Sequence, residues 1–134
     1  MLEIHERAGI VTGINKENIR AMLLLLFNYL KTKEAISYED GEKLFLTISD
    51  SIKAGKYTVV DFSEVTFVTA TFLNAAFGQL LEIFTEKEIK GHLKIIKMDD
   101  GTKLLLDEVL VRSKDYYSDP ESFTETANNI LYGI

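Results

Sequence analysis

Along this chain, stretches in which apolar positions recur every three to four residues alternate with stretches in which they run on without a break. Over residues 16–33, Ile19, Met22, Leu23, Leu26, Phe27 and Leu30 recur at helical spacing behind Asn15, a residue suited to an N-cap, and predict a first helix. Leu24 and Leu25 widen its apolar surface beyond one stripe. Such a helix is either buried between two layers or offers Leu24 and Leu25 to a second copy in a homodimer. Ser37 followed by Asp40 fits a capped helix start, and Leu44, Phe45, Ile48 and Ile52 give one face of a second helix over 38–54, stopped by Gly55. Tyr57 to Asp61 is β-rich and lacks polar alternation after Thr58, which predicts a central strand covered on both faces. A third helix is predicted over 71–85, with Leu73, Ala76, Phe77, Leu80 and Phe84 inward. Asn74, Ala75, Gly78, Gln79 and Glu82 make its narrow outer face, where small residues let another backbone approach.

The flanks are plainer. Residues 2–6 alternate weakly and 10–12 are β-branched between Gly9 and Gly13, which predicts a short strand or hairpin. Another strand is expected over 92–98, followed by a helix over 102–117 capped by Asp99 and Asp100. Pro120 marks the break before an amphipathic segment over 122–132. The order strand, helix, strand, helix from Tyr57 onward implies right-handed crossovers and partly parallel pairing. The expected fold class is α/β, a sandwich of helices on a small mixed β-sheet. Residues 1–36 would add strands and an extra helix to a core over 37–134, in one compact domain. That core is predicted to hold Val59, Val60, Phe67, Leu73, Phe77, Leu80, Phe84, Leu93, Ile95 and Ile96.

Composition narrows the function. With 134 residues, 46% apolar and 27% charged, the chain suits a single globular domain. It contains no cysteine, which removes disulfides, thiolate metal sites and cysteine nucleophiles. A net charge of −6, with no two basic residues adjacent, argues against a nucleic-acid partner. The apolar run over 21–30 is about half the ~20 residues a membrane span needs and is interrupted by Asn28, so no membrane role is expected. The start of the chain lacks the pattern of a signal peptide, and a cytoplasmic location is expected.

Few residues suggest chemistry. His5 and His92 have no carboxylate or hydroxyl at motif spacing. Asp99, Asp100 and Gly101 lack the rest of a calcium loop and read as a helix start. Asp61 stands at the C-terminal end of a strand, where α/β enzymes keep reactive groups, and with Thr71 it offers a small-molecule or enzymatic site. Equally, it can accept N–H groups of the turn that follows. No glycine-rich phosphate loop, nucleophile elbow or zinc spacing is present, so no cofactor, metal or catalytic residue is expected. The richest stretch is 58–78. There a buried strand ends in an acidic turn and leads to a helix opening with Thr69 and Thr71, whose hydroxyls and free N–H groups favour an anion or a partner's polar group.

This stretch resembles the central piece of STAS domains, the anti-sigma factor antagonist fold, and more closely a STAS-like family of unknown function. Val59, Val60, Asp61, Phe62 and Ser63 resemble that family's strand end, and Val65 and Phe67 its apolar step. Thr71, Phe72 and Leu73 with Ala76, Phe77 and Gly78 resemble its helix opening. The stretch over 104–120, with Tyr116, Tyr117 and Pro120, is also similar, so the resemblance covers about 37–120. Phosphorylated antagonists carry Asp-Ser-Ser-Gly where this chain has Thr69, Ala70, Thr71 and Phe72, which puts Ala70 at the acceptor serine. The resemblance therefore implies a non-enzymatic regulatory module that binds a partner through Thr69, Ala70, Thr71, Phe72 and Asn74. Because Ala70 has no hydroxyl, the phospho-switch does not transfer directly: either the chain binds its partner constitutively, or Thr71, with Thr69 behind it, is the candidate phosphoacceptor. It also implies a regulatory protein partner of the histidine-kinase-like ATPase class.

Overall fold

The structure, a computed structural model, describes residues 3–7, 9–14 and 20–117, with side chains at 9–10 and 21–114. Strands β1 (Glu3–Arg7) and β2 (Ile10–Ile14) form an antiparallel hairpin, with Glu3 opposite Ile14 and Arg7 opposite Ile10. The chain then forms β3 (Arg20–Leu25), a one-turn helix α1 (Leu26–Leu30) and a two-residue strand β4 (Glu34–Ala35). Helix α2 (Tyr38–Lys53) leads to β5 (Tyr57–Asp61) and the short β6 (Phe67–Val68). Helix α3 (Ala70–Leu73) runs through a π-helical segment, Asn74–Gly78, into α4 (Leu80–Ile83). Helix α5 (Glu86–His92), β7 (Leu93–Ile96) and α6 (Asp100–Tyr117) follow. The segment expected over 122–132 and the cap expected at Asn15 lie outside the described residues.

One sheet has the order β1-β2-β3-β5-β7, with β1, β2 and β3 antiparallel and β3, β5 and β7 parallel, while β4 and β6 pair in parallel as a separate ribbon. The segments before and after residue 36 thus share the main sheet, because β3 lies directly against β5. Burial alternates along the three parallel strands. The rows Met22–Thr58–Leu93 and Leu24–Val60–Ile95 are buried, whereas Leu23–Val59–Lys94 and Leu25–Asp61–Ile96 are half-buried. Period-two alternation puts these rows on opposite faces. Leu24, Val60, Leu93 and Ile95 join the core formed with Leu44, Ile48, Phe72, Phe77, Leu80 and Leu106. Among the described residues, helices therefore cover one face, and the expectation that β5 is covered on both does not hold.

The second helix begins as predicted: the Ser37 hydroxyl accepts the Asp40 N–H at 3.0 Å, which satisfies one of the unpaired donors of the first turn. Its end is also as predicted, with Gly55 in the left-handed region at φ +74, a conformation that a side chain would resist. Leu44, Phe45, Ile48 and Ile52 are buried on its inner face. Of the predicted core, Val60, Leu73, Phe77, Leu80, Phe84, Leu93 and Ile95 are buried, and Val59 and Ile96 are half-buried. Phe67 is the exception, since its side chain is 56% exposed on the outer side of the β4–β6 ribbon.

The largest correction concerns 16–33. In place of one helix, residues 20–25 form an interior strand and, among the described residues of this range, only 26–30 are helical. Leucine favours helix weakly, and that preference yields when pairing on two sides satisfies the backbone and apolar side chains fill the space beneath. Leu24 is 0% exposed, so the apolar excess that suggested a homodimer through Leu24 and Leu25 is largely consumed by the sheet itself. Helix α5 was not expected, although Thr85 and Glu88 form a full capping box: the Thr85 hydroxyl accepts the Glu88 N–H and the Glu88 carboxylate accepts the Thr85 N–H.

Polar groups inside the fold are paired. The Ser51 and Thr58 hydroxyls meet at 2.6 Å between α2 and β5. The Lys114 ammonium reaches the Glu86 carboxylate at 3.1 Å, tying α6 to α5. Tyr29 bonds Thr47 at 2.6 Å, and burial pushes its phenol above the ordinary value, an effect that the Thr47 bond partly offsets. No described helix is long and apolar enough to cross a membrane.

Candidate partner-binding surface

The site grows from the C-terminal end of β5. Asp61 accepts the Ser63 N–H at 2.7 Å, which turns the chain outward, and the Phe62 N–H donates to the Ile96 carbonyl at 3.0 Å. The chain then crosses to β6, whose Phe67 and Val68 pair with Glu34 and Ala35 of β4. Thr66 N–H to the Lys33 carbonyl at 2.8 Å and Thr69 N–H to the Ala35 carbonyl at 3.1 Å hold the two ends of this ribbon. Ala35 is buried, while Glu34 and Ile36 on either side of it are exposed. Ile36 therefore falls on the same outer side as Phe67.

Thr69 joins this ribbon to the helices. Its hydroxyl accepts the Phe72 N–H at 3.2 Å, capping α3, and donates to the Ile36 carbonyl at 2.8 Å, next to the Ser37 cap of α2. One side chain thus fixes two helix starts. The pairings Ile36 with Thr69, Gly41 with Phe72 and Ala75, and Glu42 with Gln79 advance together along both segments, so the two helices run in the same direction. The contact at Gly41 is close enough that an added Cβ would lie 2.6 Å from the Phe72 carbonyl oxygen. On the other side, an added Cβ at Gly78 would lie 2.6 Å from the Ser113 hydroxyl of α6. Ala75 and Gly78, expected on an outer face, are buried for this reason: the small residues do admit other helices, and those helices belong to this chain.

The residues proposed from sequence are only partly brought to the surface. Thr71 and Asn74 are exposed, Thr69 and Ala70 are half-buried, and Asn74 accepts a 3.3 Å hydrogen bond from the Ser113 hydroxyl. Phe72 is 0% exposed, so its side chain is a core residue and cannot contact a partner. In its place the corner displays Phe67 at 56%, Tyr38 at 50% and Ile36 at 40% exposure. Sequence reasoning missed these because a two-residue strand is too short to reveal its outer side by alternation. The signal that existed was Phe67 lying two positions before the cap at Thr69.

The other candidates have structural roles. His92 pairs its Nδ1 with the Glu88 carbonyl one turn earlier, at 2.8 Å. Asp99 accepts both the N–H and the hydroxyl of Thr102, chiefly the N–H, and these bonds hold its carboxyl below the ordinary carboxylate value. No cluster of three or more metal-ligating side chains occurs among the described residues. The side chain of His5 lies outside the described residues.

A strand that ends at an aspartate, an apolar step and a helix opening are the parts that the sequence resemblance implied, and the structure sets them in that order. Residues 40–103 match the family described as a STAS-like domain of unknown function. This stretch belongs to that family. The matched part of the STAS-like domain runs from the first turn of α2 to the first turn of α6, and it includes Thr69, Thr71, Asn74 and Phe67. Strands β1 to β3 complete its sheet from outside the match. No curated protein and no solved structure matches the chain.

Proposed function

We propose that this STAS-like chain is a non-enzymatic regulatory module that binds another protein through the corner where α2 and α3 begin. The observation that carries this reading is the gathering of Phe67, Tyr38 and Ile36, all exposed, around a backbone fixed by the Thr69 hydroxyl. Large apolar side chains on a rigid frame, next to the exposed Thr71 and Asn74, make an anchor for a protein surface. The resemblance to anti-sigma factor antagonists favours a regulatory partner, with a histidine-kinase-like ATPase as the class. A catalytic or small-molecule role for Asp61 with Thr71 is less well supported, since the Asp61 carboxylate already holds the Ser63 N–H.

Control is proposed to act through Thr71. Thr69 commits its hydroxyl to both an accepted and a donated bond, whereas Thr71 is exposed in the first turn of α3. Phosphate on Thr71 would add about −1.5 to −2 charges to a surface that a partner must desolvate.

The decisive experiment is capture of partners by the tagged full chain, compared with Phe67→Ala and Thr71→Asp. Both positions are exposed, so unfolding free energies should change by no more than about 0.5 kcal/mol. Partner affinity should fall at least about tenfold for each, as for truncation of an interface anchor. Thr71→Ala should leave affinity unchanged. A captured protein that binds both variants as tightly as the parent would refute the corner. Ligand-dependent thermal stabilisation in a metabolite screen, without a protein partner, would favour the small-molecule role. Intact mass of the parent and of Thr71→Ala after incubation with partner and ATP reports whether a phosphate is added and whether its addition requires Thr71.

A further inference from the structure

The outward face of α2 carries charges whose order reverses about its middle. Glu39, Leu46 and Lys53 are seven residues apart, two helical turns, and so lie along one line of the helix. All three are exposed, Leu46 at 53%. Lys43 and Asp50, also exposed and also seven apart, lie along the adjoining line. A lone exposed leucine is ordinary on a protein surface. The arrangement around this one is self-complementary. Turned about a two-fold axis crossing α2 at Leu46, the leucine meets its own copy and Glu39 falls opposite Lys53 of the partner subunit. Lys43 falls beside Asp50 of the partner subunit on the flank, and by symmetry each attraction occurs twice.

A second apolar residue, Ile83 at the end of α4, is also exposed, at 47%. Arg112 pairs with Glu108 and Lys114 with Glu86, and neither pair draws on Glu39, Asp50 or Lys53. The geometry points to a second copy of this chain as the occupant: α2 packs antiparallel on α2 of the partner subunit, around Leu46. This surface is centred apart from the corner at Thr69, since Leu46 is two helical turns beyond Tyr38, and it reaches that corner only at Glu39.

Sedimentation equilibrium on the full chain, from about 10 μM to about 1 mM, tests the pairing. The parent should pass from the 15.2 kDa monomer to twice that mass. Leu46→Glu, which sets two carboxylates together at the axis, should remain monomeric throughout. Glu39→Lys and Lys53→Glu should each weaken association about tenfold, since each places like charges opposite one another at two symmetric positions. The double reversal Glu39→Lys with Lys53→Glu restores opposite charges and should return affinity to within about threefold of the parent. Circular dichroism confirms that each variant keeps its helices. A parent that stays monomeric, a dimer that survives Leu46→Glu, or a double reversal as weak as the single changes would overturn the proposal.

Discussion

The close approach at Gly41 gives a prediction that opposes helix propensity to packing. Replacing Gly41 by alanine favours α2 by about 1 kcal/mol, because glycine in a helix interior loses more backbone entropy on folding. The added Cβ would nevertheless lie 2.6 Å from the Phe72 carbonyl oxygen and 2.7 Å from the Ala75 Cβ, where ordinary contact begins at 3.4 Å. Neither obstacle can rotate away, since one is backbone and the other is fixed to it. The seam between α2 and α3 would have to open by about 0.8 Å. Overpacking on this scale costs about 1–3 kcal/mol, so Gly41→Ala should destabilise the protein by up to ~2 kcal/mol net. In a urea titration that is a fall in midpoint of up to roughly 1 M for a domain of this size. Gly91 supplies the control, because it is exposed in α5 and an added Cβ there meets nothing within 4 Å. Gly91→Ala should therefore stabilise by up to about 1 kcal/mol. If Gly41→Ala is at least as stable as the parent, the seam is not closed by this contact and the account of helix packing fails.

Phe77 is 1% exposed beneath the π-helical segment, and Phe77→Ala should cost about 3–5 kcal/mol in denaturant unfolding; a loss below about 1 kcal/mol would remove it from the core. Ser51→Ala leaves the buried Thr58 hydroxyl without its 2.6 Å partner and should cost about 1–3 kcal/mol, whereas adding Thr58→Val should recover part of that loss; a double variant worse than the single one would contradict the pairing. Asp99→Ala should cost about 1 kcal/mol at neutral pH through loss of the α6 cap. Because bonding to Thr102 lowers the Asp99 pKa, its contribution is present above the unfolded value and lost as pH falls through the folded value. The stability gap between parent and Asp99→Ala should accordingly narrow below about pH 4, and a gap that stays constant under acid would exclude the carboxylate as its source.

What the sequence revealed depended on whether local signals agreed with tertiary ones. At α2, the Ser37 cap, the apolar face at Leu44, Phe45, Ile48 and Ile52, and the Gly55 stop all indicate the same helix, and the element matches its predicted start and ends one residue earlier. β5 has the predicted limits for the same reason. At Arg20–Leu25 the signals conflict: leucine-rich composition favours a helix, while pairing with β2 and β5, contributed by distant residues, imposes a strand. Periodicity alone cannot separate the two in so short an apolar run. The candidate surface was legible in its hydroxyls, because Thr69 acts locally as a cap. It was illegible in its apolar part, because the exposure of Phe67 depends on its pairing with Glu34, thirty-three positions earlier. Phe72 was misassigned because adjacent residues on a helix face different ways, and its neighbour Thr71 points outward.

The π-helical segment bears on chain length as well as on residue identity. Its wide turn is closed by the Gln79 N–H bonding five positions back, to the Asn74 carbonyl at 3.2 Å. The wide turn takes up one residue more than a regular turn, so with one residue removed here the same N–H and carbonyl would close an ordinary α-helical turn and everything beyond would keep its direction. Leu80, now 1% exposed, would stay in the core, and the amide of Gln79 would stay beside Glu42. A homologue one residue shorter in this segment would keep the same apolar positions along α4. A gap aligned between Asn74 and Gly78 consequently marks a wide turn lost without re-phasing the helix, a place where chain length can change while the interior does not.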